Sequence, residues 1–282
     1  MADLVIDSHQ HFWDTTRFEY PWMGPDVAPI ATTFMPPDLE PILTELGIDK
    51  TVLVQARGAL EDTNWFLELA TEYDFIAGVV GWVDLLDPNL PRVLDHLLGH
   101  PKFKGVRHQI HDEPDEAWMV RDDVLRGLRE LATRDIPFDL LLRPPHLQYV
   151  PRVVDRLPDL PLVVDHIAKP EIAHGEIDEW TRDMERVAAI PHIHCKVSGM
   201  ITEADWEAWT PAHLRPYGEV VVQQFGCDRL MFGSDWPPCL LAGTYRQVWD
   251  AAHTTVGPMS DEDHAKVFGR NAATFYKLAA EG

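Results

Sequence analysis

Two histidines one residue apart, His9 and His11, close the first apolar run of the chain, and Asp235 closes the last one. In a β-strand, residues i and i+2 point to the same face, so the two imidazoles are directed at one point. If the strands close into a barrel, Asp235 lies beside them. Two imidazole nitrogens and a carboxylate that converge at a barrel mouth indicate a hydrolytic or lyase centre, which a metal ion can complete.

The strands needed to position these residues recur along the whole chain. Short runs of aliphatic and β-branched residues are typical of strands that are buried on both faces of a parallel sheet. Eight such runs are predicted, at 4–8, 51–55, 76–83, 103–108, 137–142, 161–166, 193–198 and 230–234.

Amphipathic helices are predicted between these strands. Leu39, Ile42, Leu43 and Leu46 follow the i, i+3, i+4, i+7 spacing of one helix face, and similar stripes occur at 90–98 and 124–132. Repeated βα units predict a parallel sheet with right-handed crossovers, and eight units predict a single (β/α)8 TIM barrel over 1–282. An open doubly wound sheet is the alternative, but the first strand is followed by no Gly-x-Gly-x-x-Gly and the chain has no Walker A loop.

The predicted carboxyl ends of the strands collect polar and aromatic side chains, and this is where the chemistry of a barrel belongs. The aromatic and proline-rich stretch 12–37 is predicted to be a long loop over the same mouth. The side chains singled out at these ends, besides the first histidine pair, are Gln55, Trp82, Arg107, His108, His166, Lys196, Asp235 and Trp236. The roles of His146, Lys169 and Cys239 stay open.

The charge of the chain limits its partners. Lys and Arg number 24 against 46 Asp and Glu, giving a formal net charge of -22. This argues against binding to nucleic acid, whose phosphates need basic side chains, and against anionic membranes. The odd count of 3 cysteines without a CxxC spacing argues against a disulfide framework. No signal-peptide pattern and no long apolar run is present, so a cytoplasmic protein is expected.

The strand-end segments, taken in order, resemble the amidohydrolase superfamily, in particular its amidohydrolase-2 group. Within that group the chain is most similar to the sugar-lactone hydrolases of the fuconolactonase and rhamnonolactonase type. The segments that carry the resemblance are Ile6-Asp-Ser-His-Gln-His-Phe-Trp13, Gly105-Val-Arg-His108, Val163-Val-Asp-His-Ile-Ala-Lys-Pro170, Lys196-Val-Ser-Gly199, Phe232-Gly-Ser-Asp-Trp-Pro237 and Gly269-Arg-Asn-Ala-Ala-Thr-Phe-Tyr276.

The resemblance implies that His9, His11, His166 and Asp235 bind one divalent metal ion, Zn²⁺ by preference, or the attacking water. Strand four ends without a lysine that could be carboxylated to bridge two metals, so a two-metal site is not expected. Strand five ends at Arg143, where many relatives place a ligand histidine. Metal-independent catalysis therefore stays open, as does the oligomeric state.

The resulting hypothesis is hydrolysis of a small-molecule sugar lactone to the sugar acid. Asp235 is the expected general base and His166 a second catalytic residue. The expected substrate contacts are Gln55, Trp82, Arg107, His108, Lys196 and Trp236. Two alternatives remain, namely a metal-dependent decarboxylase of an aromatic or unsaturated acid, and a binding barrel without catalysis.

Overall fold

Eight parallel strands in chain order form the centre of the molecule, as the sequence predicts. The computed structural model describes residues 3–279. Each strand pairs with the next one along the chain. The strands are β1 Ile6–Gln10, β2 Lys50–Val54, β3 Ile76–Gly81, β4 Phe103–His108, β5 Phe138–Leu140, β6 Leu162–Val164, β7 His194–Val197 and β8 Leu230–Phe232.

Helices follow the strands and cover the outside of the sheet, which makes the fold a single-domain (β/α)8 barrel. The α-helices are α1 Pro36–Leu46, α2 Leu60–Glu72, α3 Leu90–Leu97, α4 Asp122–Thr133, α5 Val150–Arg156, α6 Asp178–Ala188, α7 Pro211–Phe225, α8 Tyr245–Val256, α9 Asp261–Ala265 and α10 Asn271–Phe275. The open-sheet alternative is wrong, because the last strand returns to the first. Asp235 N donates to His9 O at 2.8 Å, and His11 N donates to Trp236 O at 2.7 Å.

An irregularity in β1 sets the direction of the histidine pair. Asp7 pairs with Thr51 and Gln10 pairs with Leu53, so β1 carries one more residue than β2 over this stretch. Such a β-bulge changes which face the following side chains occupy. Ile6 packs in the barrel interior with Val52 and residues of other strands. Without a bulge, alternation from the inward-pointing Ile6 would direct Gln10 into the barrel. Because of the bulge, His9 points inward instead.

The interior of the barrel changes from apolar to charged along the strands. Its lower part is an apolar cluster of residues from five strands, closed by Phe275 of α10 and by Tyr276, which follows that helix. Above this cluster lie fully buried Asp139, Asp165 and Lys196. The charged layer separates the apolar plug from the strand ends, where the candidate site lies.

Segment 12–37 lies at the barrel mouth. Trp13 and Phe34 form an isolated antiparallel bridge, and a short 3₁₀ helix runs from Pro25 to Ile30. The last two residues of the predicted loop belong to α1, which begins at Pro36. Over residues 3–279, no helix has the length and apolar character that a membrane crossing requires.

Asp62, a buried carboxylate in α2, makes the stability of the fold pH-dependent. Burial raises its pKa to about 6, against the opposing effects of the Ala56 N–H and Arg57. A raised folded-state pKa stabilises the fold below the unfolded-state pKa, and this contribution is lost as the pH rises through the folded-state value. We expect Asp62→Asn, which still accepts from Ala56 N, to gain about 2.5 kcal/mol relative to the native protein between pH 4 and pH 7.5.

Urea unfolding of both proteins at the two pH values measures this gain. Asp95→Asn is the control, because Asp95 is an exposed carboxylate that pairs with Arg134. Its stability difference should stay within about 0.5 kcal/mol at both pH values. A pH-independent difference for Asp62→Asn would contradict the assignment.

Candidate active site

A cavity of about 450 Å³ opens at the carboxyl ends of the strands. Four of its lining residues, His11, Arg107, His166 and Asp235, are almost completely buried, with exposures of 3 to 4%. Trp13, Trp22 and Ile30 of segment 12–37 form another part of the wall. The volume and the mixture of apolar walls with a few convergent polar groups are typical of a small-molecule site.

Three imidazoles surround one carboxylate oxygen in this cavity. Asp235 Oδ1 lies 3.4 Å from His11 Nε2, 3.8 Å from His166 Nε2 and 3.9 Å from His9 Nε2. The two Nε2 atoms of His9 and His11 are 3.1 Å apart. Ligand atoms around a tetrahedral Zn²⁺ are about 3.4 Å from one another, given zinc–ligand distances near 2.1 Å. The spacing of His9, His11 and Asp235 therefore fits a divalent ion.

The opposite ring nitrogens of the histidines have partners that orient them. His11 Nδ1 lies 2.7 Å from Val54 O, which requires that this nitrogen donate. His166 Nδ1 lies 2.8 Å from Ser198 Oγ. A partner on the far nitrogen fixes the ring and leaves Nε2 for the centre, as it does around metal ligands.

Arg107 competes with a metal ion for one of these imidazoles. Its Nη1 lies 3.1 Å from His9 Nε2, and its Nη2 donates to Gln55 O at 2.6 Å. A guanidinium can only donate, so the contact uses the lone pair that a metal ion would need from His9. Arg107 and a metal ion therefore compete for His9, whereas His11, His166 and Asp235 are free of this competition.

A buried charge network supports His9 from below. Lys196 Nζ lies 2.7 Å from Asp139 Oδ2, 3.0 Å from Asp165 Oδ1 and 3.1 Å from His9 Nδ1. Asp165 also pairs with Arg107 at 3.3 Å. Burial acts to raise the pKa of Asp165, but Lys196 and His9 lower it well below its ordinary value. Burial raises the pKa of Asp139 to about 6.

The protonation states in the cavity suit a base. Burial lowers the pKa values of His11 and His166, which favours neutral imidazoles at neutral pH. Burial acts to raise the pKa of Asp235, yet the attraction of His166 and the hydrogen bond from His11 leave it lowered. Asp235 is therefore a carboxylate beside neutral imidazoles.

A left-handed turn places His166 in the cavity. His166, Ile167, Ala168 and Lys169 all have φ values between 48° and 62°, a conformation that costs L-residues energy and that concentrates at functional sites. Gly199 packs against this turn with a φ of 61°, and a Cβ there would lie 2.6 Å from His166 Nδ1.

We expect Gly199→Ala to lower kcat/KM of the reaction at this site by about 10- to 100-fold. The added Cβ would displace the His166 imidazole, and a shift of about 1 Å in a catalytic group has effects of this size. Gly47→Ala is the matched control: φ is 69° and no heavy atom lies within 4 Å of the added Cβ. Both variants carry the backbone strain, and only Gly199→Ala displaces the imidazole. Equal steady-state kinetics for the two variants would contradict this role of Gly199.

The other predicted site residues lie outside the cavity wall. Gln55 is fully buried, and Lys196 lies in the charged layer below. Trp236 is buried against Phe12 and Phe34. Trp82 donates from Nε1 to His108 Nδ1 at 3.3 Å, and His108 stacks on Trp118 at 4.1 Å. Of the six predicted substrate contacts, only Arg107 lines the cavity.

The three residues whose roles the sequence left open have clear positions. His146 is buried and its Nδ1 contacts the backbone of Arg143. Lys169 lines the cavity and pairs with Glu203 at 2.5 Å. Cys239 is fully buried, and burial raises the pKa of its thiol well above the ordinary value.

Sequence reasoning missed several residues of the cavity wall. They come from connecting segments that follow no periodic pattern, so only the position of each segment after a strand could have indicated them. The missed residues include Trp22, Val27, Ile30, Gln109, His111, Asp112, Thr202, Glu203 and Trp206.

Comparisons with known proteins agree with this geometry. The sequence model of the family described as Amidohydrolase matches residues 6–278. An L-fucono-1,5-lactonase of Burkholderia ambifaria is 39% identical over 97% of this chain and 95% of its own. A crystal structure of an amidohydrolase from Burkholderia multivorans with bound HEPES has a TM-score of 0.92 at 36% identity, covering 98% of this chain and 100% of that one.

A second crystal form of the Burkholderia multivorans amidohydrolase contains bound zinc. Its TM-score is 0.89 at 36% identity, with the same coverage of 98% and 100%. A family match over nearly the whole chain, together with relatives above one third identity, decides the classification. This protein belongs to the amidohydrolase family.

Proposed function

We propose that the protein hydrolyses the ester bond of a sugar lactone and releases the sugar acid. The observation that carries the proposal is the position of Asp235 Oδ1, within 3.9 Å of three imidazole nitrogens in a cavity at the strand ends. The 39% identity to an L-fucono-1,5-lactonase supports a six-membered sugar lactone as the substrate class.

Asp235 is the proposed general base. It accepts a proton from a water molecule while the water oxygen attacks the lactone carbonyl carbon, and the carbonyl π electrons move to oxygen. General base help of this kind contributes about 10²- to 10⁴-fold. The ionised state that His166 and His11 favour at Asp235 is the state this step requires.

Arg107 is the proposed stabiliser of the oxyanion that forms. Donors and positive charge aimed at the developing charge lower the barrier most when water is excluded. Arg107 is 4% exposed and lines the cavity, whereas Lys196 is fully buried between Asp139 and Asp165. Collapse of the tetrahedral intermediate breaks the bond to the ring oxygen, and Asp235 returns its proton to that alkoxide.

His9, His11 and Asp235 would hold a divalent ion, and His166 would be its fourth ligand; zinc in the Burkholderia multivorans relative is a precedent. Such an ion, when bound, supplies positive charge that polarises the carbonyl. Arg107, whose Nη1 contacts His9 Nε2, supplies positive charge at the same place without an ion.

A panel of sugar lactones, L-fucono-1,5-lactone included, followed with a pH indicator tests the proposal. Each assay is run with and without a chelator, and acid release above the uncatalysed rate is expected. Saturable thermal stabilisation without turnover would instead indicate a binding barrel.

The alternative function, a decarboxylase, is supported by two arginines that line the cavity, Arg107 and Arg143, because arginines bind carboxylates. Chelator-sensitive CO₂ release from aromatic acids, without lactone turnover, would favour it.

A further inference from the structure

Trp206 differs from the other tryptophans of the chain. All ten lie within residues 3–279, and Trp206 is the exposed one, at 39%. It lies on the segment that follows β7 and lines the candidate cavity. Within the described part of the chain, no other aromatic ring packs against its indole. A large and partly exposed ring therefore lines the cavity without an aromatic partner among residues 3–279.

The segment that carries Trp206 is held in place at several points. Trp206 Nε1 donates to Thr202 O at 2.8 Å. Ile201 and Ala204 are buried in the core, and Trp209 Nε1 donates to Ala242 O at 2.7 Å. The exposed ring is thus preorganised by its neighbours, which lowers the entropy lost when a ligand packs against it.

Charged groups line the same cavity as this ring. Lys169 and Glu203 pair at 2.5 Å, and their side chains are 16% and 14% exposed. The ammonium can donate further hydrogen bonds and the carboxylate can accept them. A sugar ring presents an apolar C–H face and hydroxyl groups at its edge, so it can satisfy an aromatic face and a donor–acceptor pair together.

We propose that Trp206 is the stacking platform for the sugar ring and that Lys169 and Glu203 bind its hydroxyl groups. This inference rests on the proposed lactonase function and adds to it a specificity site outside the catalytic residues. Recognition of the ring is thereby separated from the hydrolytic chemistry at Asp235, and a lactone without hydroxyl groups stacks on the indole without the contacts to Lys169 and Glu203.

Trp206→Ala tests the platform with two substrates, L-fucono-1,5-lactone and δ-valerolactone, which has no hydroxyl groups. We expect the variant to raise KM for the sugar lactone about fivefold, because aromatic contacts of this kind contribute about 1 kcal/mol. Removing binding that is equal in ground and transition states changes KM and spares kcat. KM for δ-valerolactone should rise as well, because its ring also has a C–H face, whereas Glu203→Ala should lower the ratio of kcat/KM for the sugar lactone to that for δ-valerolactone about tenfold. Leu98→Ala, an exposed apolar residue outside the cavity lining, is the control.

Calorimetric titration with L-fucose, a pyranose that has no ester, separates this inference from the proposed function. At least threefold weaker binding by Trp206→Ala supports the platform even if no lactone is hydrolysed, in which case the proposed function alone fails. Equal L-fucose binding by the native protein and the variant overturns the platform. The platform is also overturned if Trp206→Ala differs from the native protein in mass by sedimentation velocity while its kinetics are unchanged. The ring would then lie in a contact between copies of the chain.

Discussion

Asp235→Asn is expected to lower kcat for lactone hydrolysis by at least about 100-fold, because the amide cannot accept the proton that the attacking water must lose. The substitution keeps the size of the side chain. It also suits the backbone, since Asp235 has a φ of 55° and asparagine tolerates this left-handed region. The expected loss therefore reflects chemistry rather than folding. Initial rates with L-fucono-1,5-lactone and a thermal unfolding curve measure the two effects separately.

Asp112→Asn is the matched control for this experiment. Asp112 is a second carboxylate on the cavity wall and pairs with His111 at 3.2 Å, but its side chain is 64% exposed. We expect its kcat to stay within about threefold of the native value, because a solvated carboxylate outside the imidazole cluster has no proton to transfer in this scheme. Near-native turnover by Asp235→Asn, or an equal loss in both variants, would refute Asp235 as the base.

The barrel and its central residues were predictable because they follow from strand periodicity. Buried parallel strands leave continuous aliphatic runs in the sequence, and parallel strands in a barrel end on one face. That rule predicts that His9, His11, His166 and Asp235 lie at one end of the barrel, the family resemblance groups them as one site, and the structure places them together. The bulge in β1 was not predictable, since the extra residue is visible only in the pairing with β2.

The wall of the cavity was not predictable from strand ends. Trp236 follows Asp235 directly, yet its ring turns to Phe12 and Phe34 and is 1% exposed. Trp206 lies in an aperiodic segment, and only the three-dimensional path of that segment returns it to the mouth. Alternation decides the direction of a side chain within a strand, but the direction after the last paired residue depends on long-range packing.

Lys196→Met is expected to destabilise the fold by about 3 to 5 kcal/mol, the usual effect of removing one partner from a buried ion pair. Lys196 is fully buried and lies 2.7 Å from Asp139 and 3.0 Å from Asp165. Methionine fills a similar volume, so the loss comes from two carboxylates left with less positive charge rather than from a cavity. Urea unfolding at pH 7.5 measures it. The control Lys277→Met removes an exposed pair with Asp135 and should lose less than about 1 kcal/mol.

The double variant Lys196→Met with Asp139→Asn shows whether charge is the cause. It removes one negative charge along with the positive one, and Asp165 keeps its pair with Arg107 at 3.3 Å. The new amide oxygen can still accept from Tyr276, whose hydroxyl lies 2.8 Å from Asp139 Oδ2. We expect the double variant to be at least about 1 kcal/mol more stable than Lys196→Met alone, since its buried charges balance again. A double variant no more stable than the single one would mean that packing of the lysine stem, rather than its charge, stabilises the layer beneath His9.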